Sequence, residues 1–179
     1  MANPTMTLIA SNTVGSGGIS SVTFSSIPST YTDLKLVCSS RTTLATVTDN
    51  YLNMNFNGDS GSNYSVRAVY GNGATAQSNS FSAQTNGYVY QDEAAGATAN
   101  TFSNIEVYIT NYAGSTAKSY SNDGVAESNT ANATGSRWDA LQAGLWSGTA
   151  AITSLALTAG GSANFVQYSS FYLYGIKNS

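Results

Sequence analysis

The stretch DLKLVCSSR, Asp33 to Arg41, alternates without a break. Asp33, Lys35, Val37, Ser39 and Arg41 share one side, and Leu34, Leu36, Cys38 and Ser40 share the other. Successive side chains of an extended chain point to opposite faces, so the pattern is a strand with one wet and one dry side. At about 3.3 Å per residue it spans roughly 30 Å. The same period recurs in both directions along the chain. Strands are expected near Thr7–Ala10, Ile19–Ser25, Tyr51–Asn57, Ser65–Tyr70, Gly87–Gln91, Phe102–Tyr112, Ser119–Ser128, Asp139–Trp146, Ile152–Thr158 and Ser170–Lys177. In the last of these, Phe171, Leu173 and Gly175 oppose Tyr172, Tyr174 and Ile176. Neither row is polar, so both faces of that strand call for cover.

Turn residues separate the runs. VGSGG (Val14–Gly18), NGDSGSN (Asn57–Asn63), GNG (Gly71–Gly73) and Gly160–Gly161 punctuate the pattern. The Asn57-Gly58 pair is a hairpin cue, because both residues accept a positive φ. The segment Gly71–Asn100 is rich in small polar residues and reads as long loops around one short strand, GYVYQ. Ser136–Leu145 also has helical spacing at Trp138, Leu141 and Leu145, with Ser136 as a cap. Continued alternation through Gly144 and Trp146 favours a strand there. Ten or eleven short strands without a firm helix imply an all-β fold, an antiparallel two-sheet β-sandwich with jelly-roll-like connections. A lipocalin-like barrel is the other arrangement, but no ligand-pocket signature accompanies it. The expected organisation is one domain over residues 1–179, with residues 1–12 as a candidate N-terminal arm.

Composition narrows the function. Apolar residues make up 41% of the chain and charged residues only 8%, so a packed core sits under a polar but nearly uncharged surface. Such a surface has little like-charge repulsion to hold molecules apart. Net charge is −3, and the six basic residues, Lys35, Arg41, Arg67, Lys118, Arg137 and Lys177, are scattered. Nucleic acid and anionic membrane are therefore poor partners. No apolar run approaches the roughly 20 residues of a membrane helix, and the N-terminus lacks the pattern of a signal peptide.

The chain has no histidine, which removes the commonest general base and metal ligand. The lone Cys38 lies on the dry side of its strand and reads as core. Asp92 and Glu93 are adjacent, so a strand would point them to opposite faces and a loop would leave them as solvated charges. Asn55, Asn57, Asp59 and Asn63 supply oxygens around one turn, but a calcium loop needs more carboxylates than one. No enzyme activity, cofactor, metal or small-molecule substrate is expected. The aromatic residues Tyr64, Tyr70, Tyr88, Tyr90, Tyr112, Tyr120, Trp138 and Trp146 suit core, interface or sugar stacking alike.

Several stretches resemble a group of tailed-bacteriophage virion proteins. They are VTFSSIPSTYTDLKLVCSSR, NMNFNGDSGSNYS and LWSGTAAITSLALTAGGSANFVQYSSFYLYGIK. The matching motifs are Ile27-Pro28, Tyr31–Leu34, Asn57–Asp59 with Asn63-Tyr64, Ala151–Ser154 and Leu173–Ile176. They cover about half the chain, and Gly71–Gly135 matches nothing in that group. The resemblance implies a jelly-roll-like sandwich that coats or cements a capsid, or forms part of a tail or fibre. It carries over no active-site residue. The expectation is a decoration or cement subunit on the outer capsid surface of the virion, bound to the major capsid protein and to itself as a homotrimer. A tail-fibre or receptor-binding module that holds a host glycan is the alternative. Met6, Leu8 and Ile9 in the arm, with Tyr172 and Tyr174 in the last strand, are the candidate partner contacts. An ordinary edge strand is the competing reading of that arm.

Overall fold

The computed structural model describes residues 5–71, 75–127 and 138–177. Residues 1–4 of the candidate arm, the GNG turn from residue 72 onward and the Ser136 cap lie outside them. Among the described residues the chain is built of strands, with one short 3-10 turn at Gly160–Ser162. The strands are β1 (Met6–Thr13), β2 (Ser21–Phe24), β3 (Asp33–Ser39), β4 (Asp49–Phe56), β5 (Tyr64–Gly71) and β6 (Ala76–Gln84). They continue as β7 (Gly87–Glu93), β8 (Asn104–Ile109), β9 (Lys118–Ala126), β10 (Trp138–Trp146), β11 (Leu155–Ala159) and β12 (Ser170–Ile176).

All pairs between these strands are antiparallel, and the strands form two sheets. The larger runs β1-β12-β3-β8-β9-β10-β5-β6, and the smaller runs β2-β11-β4-β7. With β5, β6, β9 and β10 set aside, the orders become β1-β12-β3-β8 and β2-β11-β4-β7. Consecutive strands of that reduced set alternate between sheets, except that β4 and β7 pair within the smaller one, which is the wrapped connectivity of a jelly roll. The hairpin β5–β6, and β9 with β10, are insertions that widen the first sheet beyond β8. The expected sandwich is therefore the observed one, enlarged on one side.

The dry row of the opening strand behaves as its alternation predicts. Leu34, Leu36 and Cys38 are buried and join Leu52, Met54, Ile105, Val107, Leu155, Leu157, Phe171 and Leu173 between the sheets. Gly175 completes the inner row of β12, because a Cβ there would run into the Tyr31 ring. Aromatic residues fasten the insertions to the smaller sheet. Phe56 of β4 packs 5.6 Å from Trp146, 6.0 Å from Tyr120 and 6.2 Å from Tyr64, measured between ring centroids. Tyr120 lies flat over Gly144, where any larger residue would meet its ring.

The edge of β7 abuts the inner face of the insertions. Tyr90 N–H donates to Gln142 Oε1 at 2.7 Å and to Asn122 Oδ1 at 3.2 Å. The Gln142 amide donates back to Tyr88 O at 3.4 Å. Side chains thus replace the missing neighbour strand on an edge that would otherwise be open.

Three expectations need correction. The Gly71–Asn100 region contains a second strand, β6, whose AQSNSFSAQ sequence has no apolar row because it is an exposed edge. Asn57 and Gly58 do form a tight turn with φ of 54° and 69°, closed by Asp59 N–H donating to Phe56 O at 2.9 Å. The strands on either side belong to different sheets, so the turn crosses the sandwich instead of closing a hairpin. Asn57 Oδ1 accepts from Thr153 and Ser154 N–H, which ties the crossing to the segment before β11. The expected strand Asp33–Arg41 ends at Ser39, and Arg41 is buried. Its guanidinium donates to the carbonyls of Ala95, Ala97, Thr98 and Thr101 at 2.8–3.3 Å, which pins the loop after β7.

Candidate interaction surface

The inner face of the larger sheet is covered by the smaller sheet. Its outer face is not, and the strand register fixes what that face presents. One outward row runs Tyr172, Val37, Glu106, Asp123, Leu141 and Val69 from β12 across to β5. The next runs Leu8, Tyr174, Lys35, Tyr108, Ser121, Ala143 and Arg67. With strands about 4.8 Å apart, the whole face is about 38 Å wide.

Two apolar areas stand on this face. The first lies at the β1 edge. Met6 and Leu8 are exposed, and Leu8 pairs with Tyr174 across the strands. Tyr172 and Tyr174 are half-buried and stack on each other with centroids 6.5 Å apart. Lys35 and Glu106 pair at 2.8 Å beside them. Ile9 differs from its neighbours: the register slips between Leu8 and Ala10, and Ile9 packs against the core. From Met6 onward the candidate arm is an edge strand of this chain's own sheet, bonded to β12. Sheet pairing with β12 occupies one side of β1, and only the other side is open to a partner strand.

The second area lies on the insertions. Leu141 is 61% exposed, Val69 57% and Leu145 38%. In β10 the usual arrangement is inverted: the leucines face out, while Gln142 and Gly144 face in. A hollow of about 690 Å³ lies beside Leu141 and Val69. Sequence reading missed this area because alternation tells which residues share a side but not which side is dry.

The other candidate groups are used inside the fold. Asp59 accepts from Trp146 Nε1 at 2.6 Å, from the Asn63 amide at 2.9 Å and from Gly61 N–H at 2.8 Å. These donors, led by the Trp146 N–H, hold its carboxyl below the usual range. The carboxylate is a clamp on a buried indole. Asp59→Ala should cost about 1–3 kcal/mol, since the Trp146 N–H would be left without an acceptor. Urea unfolding measures that loss. Calcium should leave the melting temperature of the unmodified protein unchanged, and a rise would mean that the turn holds an ion.

Asp92 and Glu93 are not solvated charges. Both are buried, because a bulge at Gln91 (φ 80°) breaks the alternation and turns three successive residues inward. Asp92 Oδ1 accepts from Ser40 and Ser103 hydroxyls at 2.7 and 3.0 Å and from Glu93 N–H at 3.0 Å. Burial pushes its carboxyl up to about 7, against the opposing effect of those hydrogen bonds. Burial also raises Glu93, with Arg41 acting in the opposite direction. Cys38 is buried, and its thiol is pushed well up by desolvation and then by Asp92. Lys118 is buried as well; its ammonium donates to Gly114 O at 2.8 Å and to Thr116 O, 5.9 Å above the Trp146 ring. Among the described basic residues, Arg41 and Lys118 are therefore internal. Among the described residues, no group of three or more His, Cys, Asp or Glu side chains is placed to hold a metal ion.

No protein-family model matches the chain, and no curated protein is similar to it in sequence.

Proposed function

We propose that this protein is a structural component of a tailed-bacteriophage particle, a decoration or cement subunit on the outer capsid surface. One observation carries the reading. A broad sheet face with the exposed side chains Met6, Leu8, Val69, Leu141 and Leu145 is left uncovered by the other described residues. Exposed apolar area of this kind marks sites of protein contact. The scarcity of charge and the motif resemblance to virion proteins support the same reading.

In this proposal the β1 edge, with Leu8, Tyr172 and Tyr174, contacts the major capsid protein, and copies meet as homotrimers at threefold or quasi-threefold positions. Stabilisation follows by mass action. A subunit that binds the assembled lattice but not free capsid protein shifts the equilibrium toward the shell. Particles made without this protein should break at lower temperature and under milder osmotic shock than complete ones. Identical survival curves would count against the proposal. Truncation of residues 1–12 would remove β1 and expose β12, so the cleaner probe of attachment is Leu8→Asp, scored by copies retained per particle.

The stacked Tyr172–Tyr174 pair, with Lys35 and Glu106 beside it, favours a second reading as a tail-fibre module that grips a host glycan. A glycan array with wild type and Tyr174→Ala separates the two. Specific binding lost in the variant supports the fibre reading.

A further inference from the structure

The geometry points to the outer face of the insertions as a two-fold docking site for a second copy of this chain. Leu141 and Val69 sit side by side in adjacent strands and form its centre. Asp123 flanks Leu141 on the β9 side, and Arg67 lies next to Val69 one outward row further along β5. Both charged residues are exposed. The Asp123 carboxylate makes no hydrogen bond or ion pair among the described residues, and there the Arg67 guanidinium donates only to the Val66 and Phe81 carbonyls at 3.0 Å. They are two strands and one outward row apart, about 12 Å, too far to pair within one chain.

An acid and a base at opposite corners of an apolar rectangle are each other's complement under a two-fold rotation. An axis in the interface plane, perpendicular to the line joining the two at its midpoint, exchanges the corners. Asp123 of each copy then stands over Arg67 of the other, and Leu141 of each drops into the hollow beside Val69 of the other. The strands of the two sheets cross steeply, as in orthogonal sheet packing. Ser78, Ser121 and Ala143 border the centre, and small side chains let two sheet faces approach. A two-fold contact is isologous, so one patch must complement itself, as this one does. A partner of other chemistry would leave the diagonal charge pattern unused. The contact is independent of the proposed capsid role and of any threefold contact.

Sedimentation velocity and native mass measurement on the purified full chain test the inference. The wild type should form a reversible dimer. Leu141→Asp should weaken it by about a hundredfold, through burial of an unpaired charge at the centre. Asp123→Arg and Arg67→Asp should each weaken it by about tenfold, because each sets like charges against one another. The double variant Asp123→Arg/Arg67→Asp restores opposite charges and should recover most of that loss. All three positions are exposed, so core packing is untouched. A wild type that stays monomeric at every concentration overturns the inference. So does a trimer or dimer indifferent to these substitutions, or a double variant no tighter than the singles.

Discussion

Replacing Phe56 with alanine should lower the unfolding free energy by about 3–5 kcal/mol. Its ring is fully buried and touches one aromatic from each of β5, β9 and β10. The loss combines the removed apolar surface with a cavity that three rigid rings cannot collapse to fill. Phe56 belongs to the smaller sheet and its ring neighbours to the insertions. The variant should therefore loosen the insertions first, with faster amide exchange in β5, β6, β9 and β10 than in β3 and β8. Urea denaturation measures the total. A loss under about 1 kcal/mol would mean that the cluster repacks around the gap.

The second large effect is on pH dependence, and it centres on Asp92. Its folded carboxyl titrates at about 7, above the ordinary 3.8. Between those values the unfolded chain has lost this proton and the folded chain keeps it, so folding takes up a proton. The stabilisation is complete below about pH 4 and is lost as pH rises through about 7. At about 1.4 kcal/mol per unit, the window amounts to about 4 kcal/mol. Glu93, raised by the same burial, adds in the same direction, while Arg41 opposes it. Asp59, held below its usual range, has the opposite sign, but its contribution disappears only as pH falls below the ordinary carboxylate range. Unfolding between pH 4 and 8 should show stability falling in the wild type. Asp92→Asn, which mimics the protonated acid, should flatten that slope and melt higher than the wild type at pH 8. Parallel profiles for the two proteins would show that Asp92 is ionised in the folded state throughout.

Most of the strands were legible because a half-buried strand writes its period into the chain. DLKLVCS and the inner row Phe171, Leu173, Gly175 are of that kind. β6 left no such mark, since an exposed edge strand needs no dry row and Phe81 is its only large apolar residue. The turn at Asn57-Gly58 was legible from local backbone preference, but its destination was not. Whether the next strand returns alongside or crosses to the other sheet depends on contacts distant in sequence, such as Asn57 with Thr153 and Ser154. Asp92 and Glu93 were misread because one bulged residue resets the alternation. The surface was legible in part. The β1 and β12 candidates do share the outer face, except Ile9, whereas Leu141 and Val69 stayed hidden because β10 turns its leucines outward and Gln142 inward.

That inward Gln142, with Asn122, has a consequence for any attempt to shorten the protein. The eight strands of the plain roll look self-sufficient, and trimming away β5, β6, β9 and β10 would suggest itself as a route to a minimal scaffold. Such a trimmed chain would strip the amide groups from the rail of β7 at Tyr88 and Tyr90 and uncover Phe56 at once. Its fate would be open-ended growth of sheet from molecule to molecule. The added strands began as an outgrowth of the roll in topology, yet they now serve as its hem.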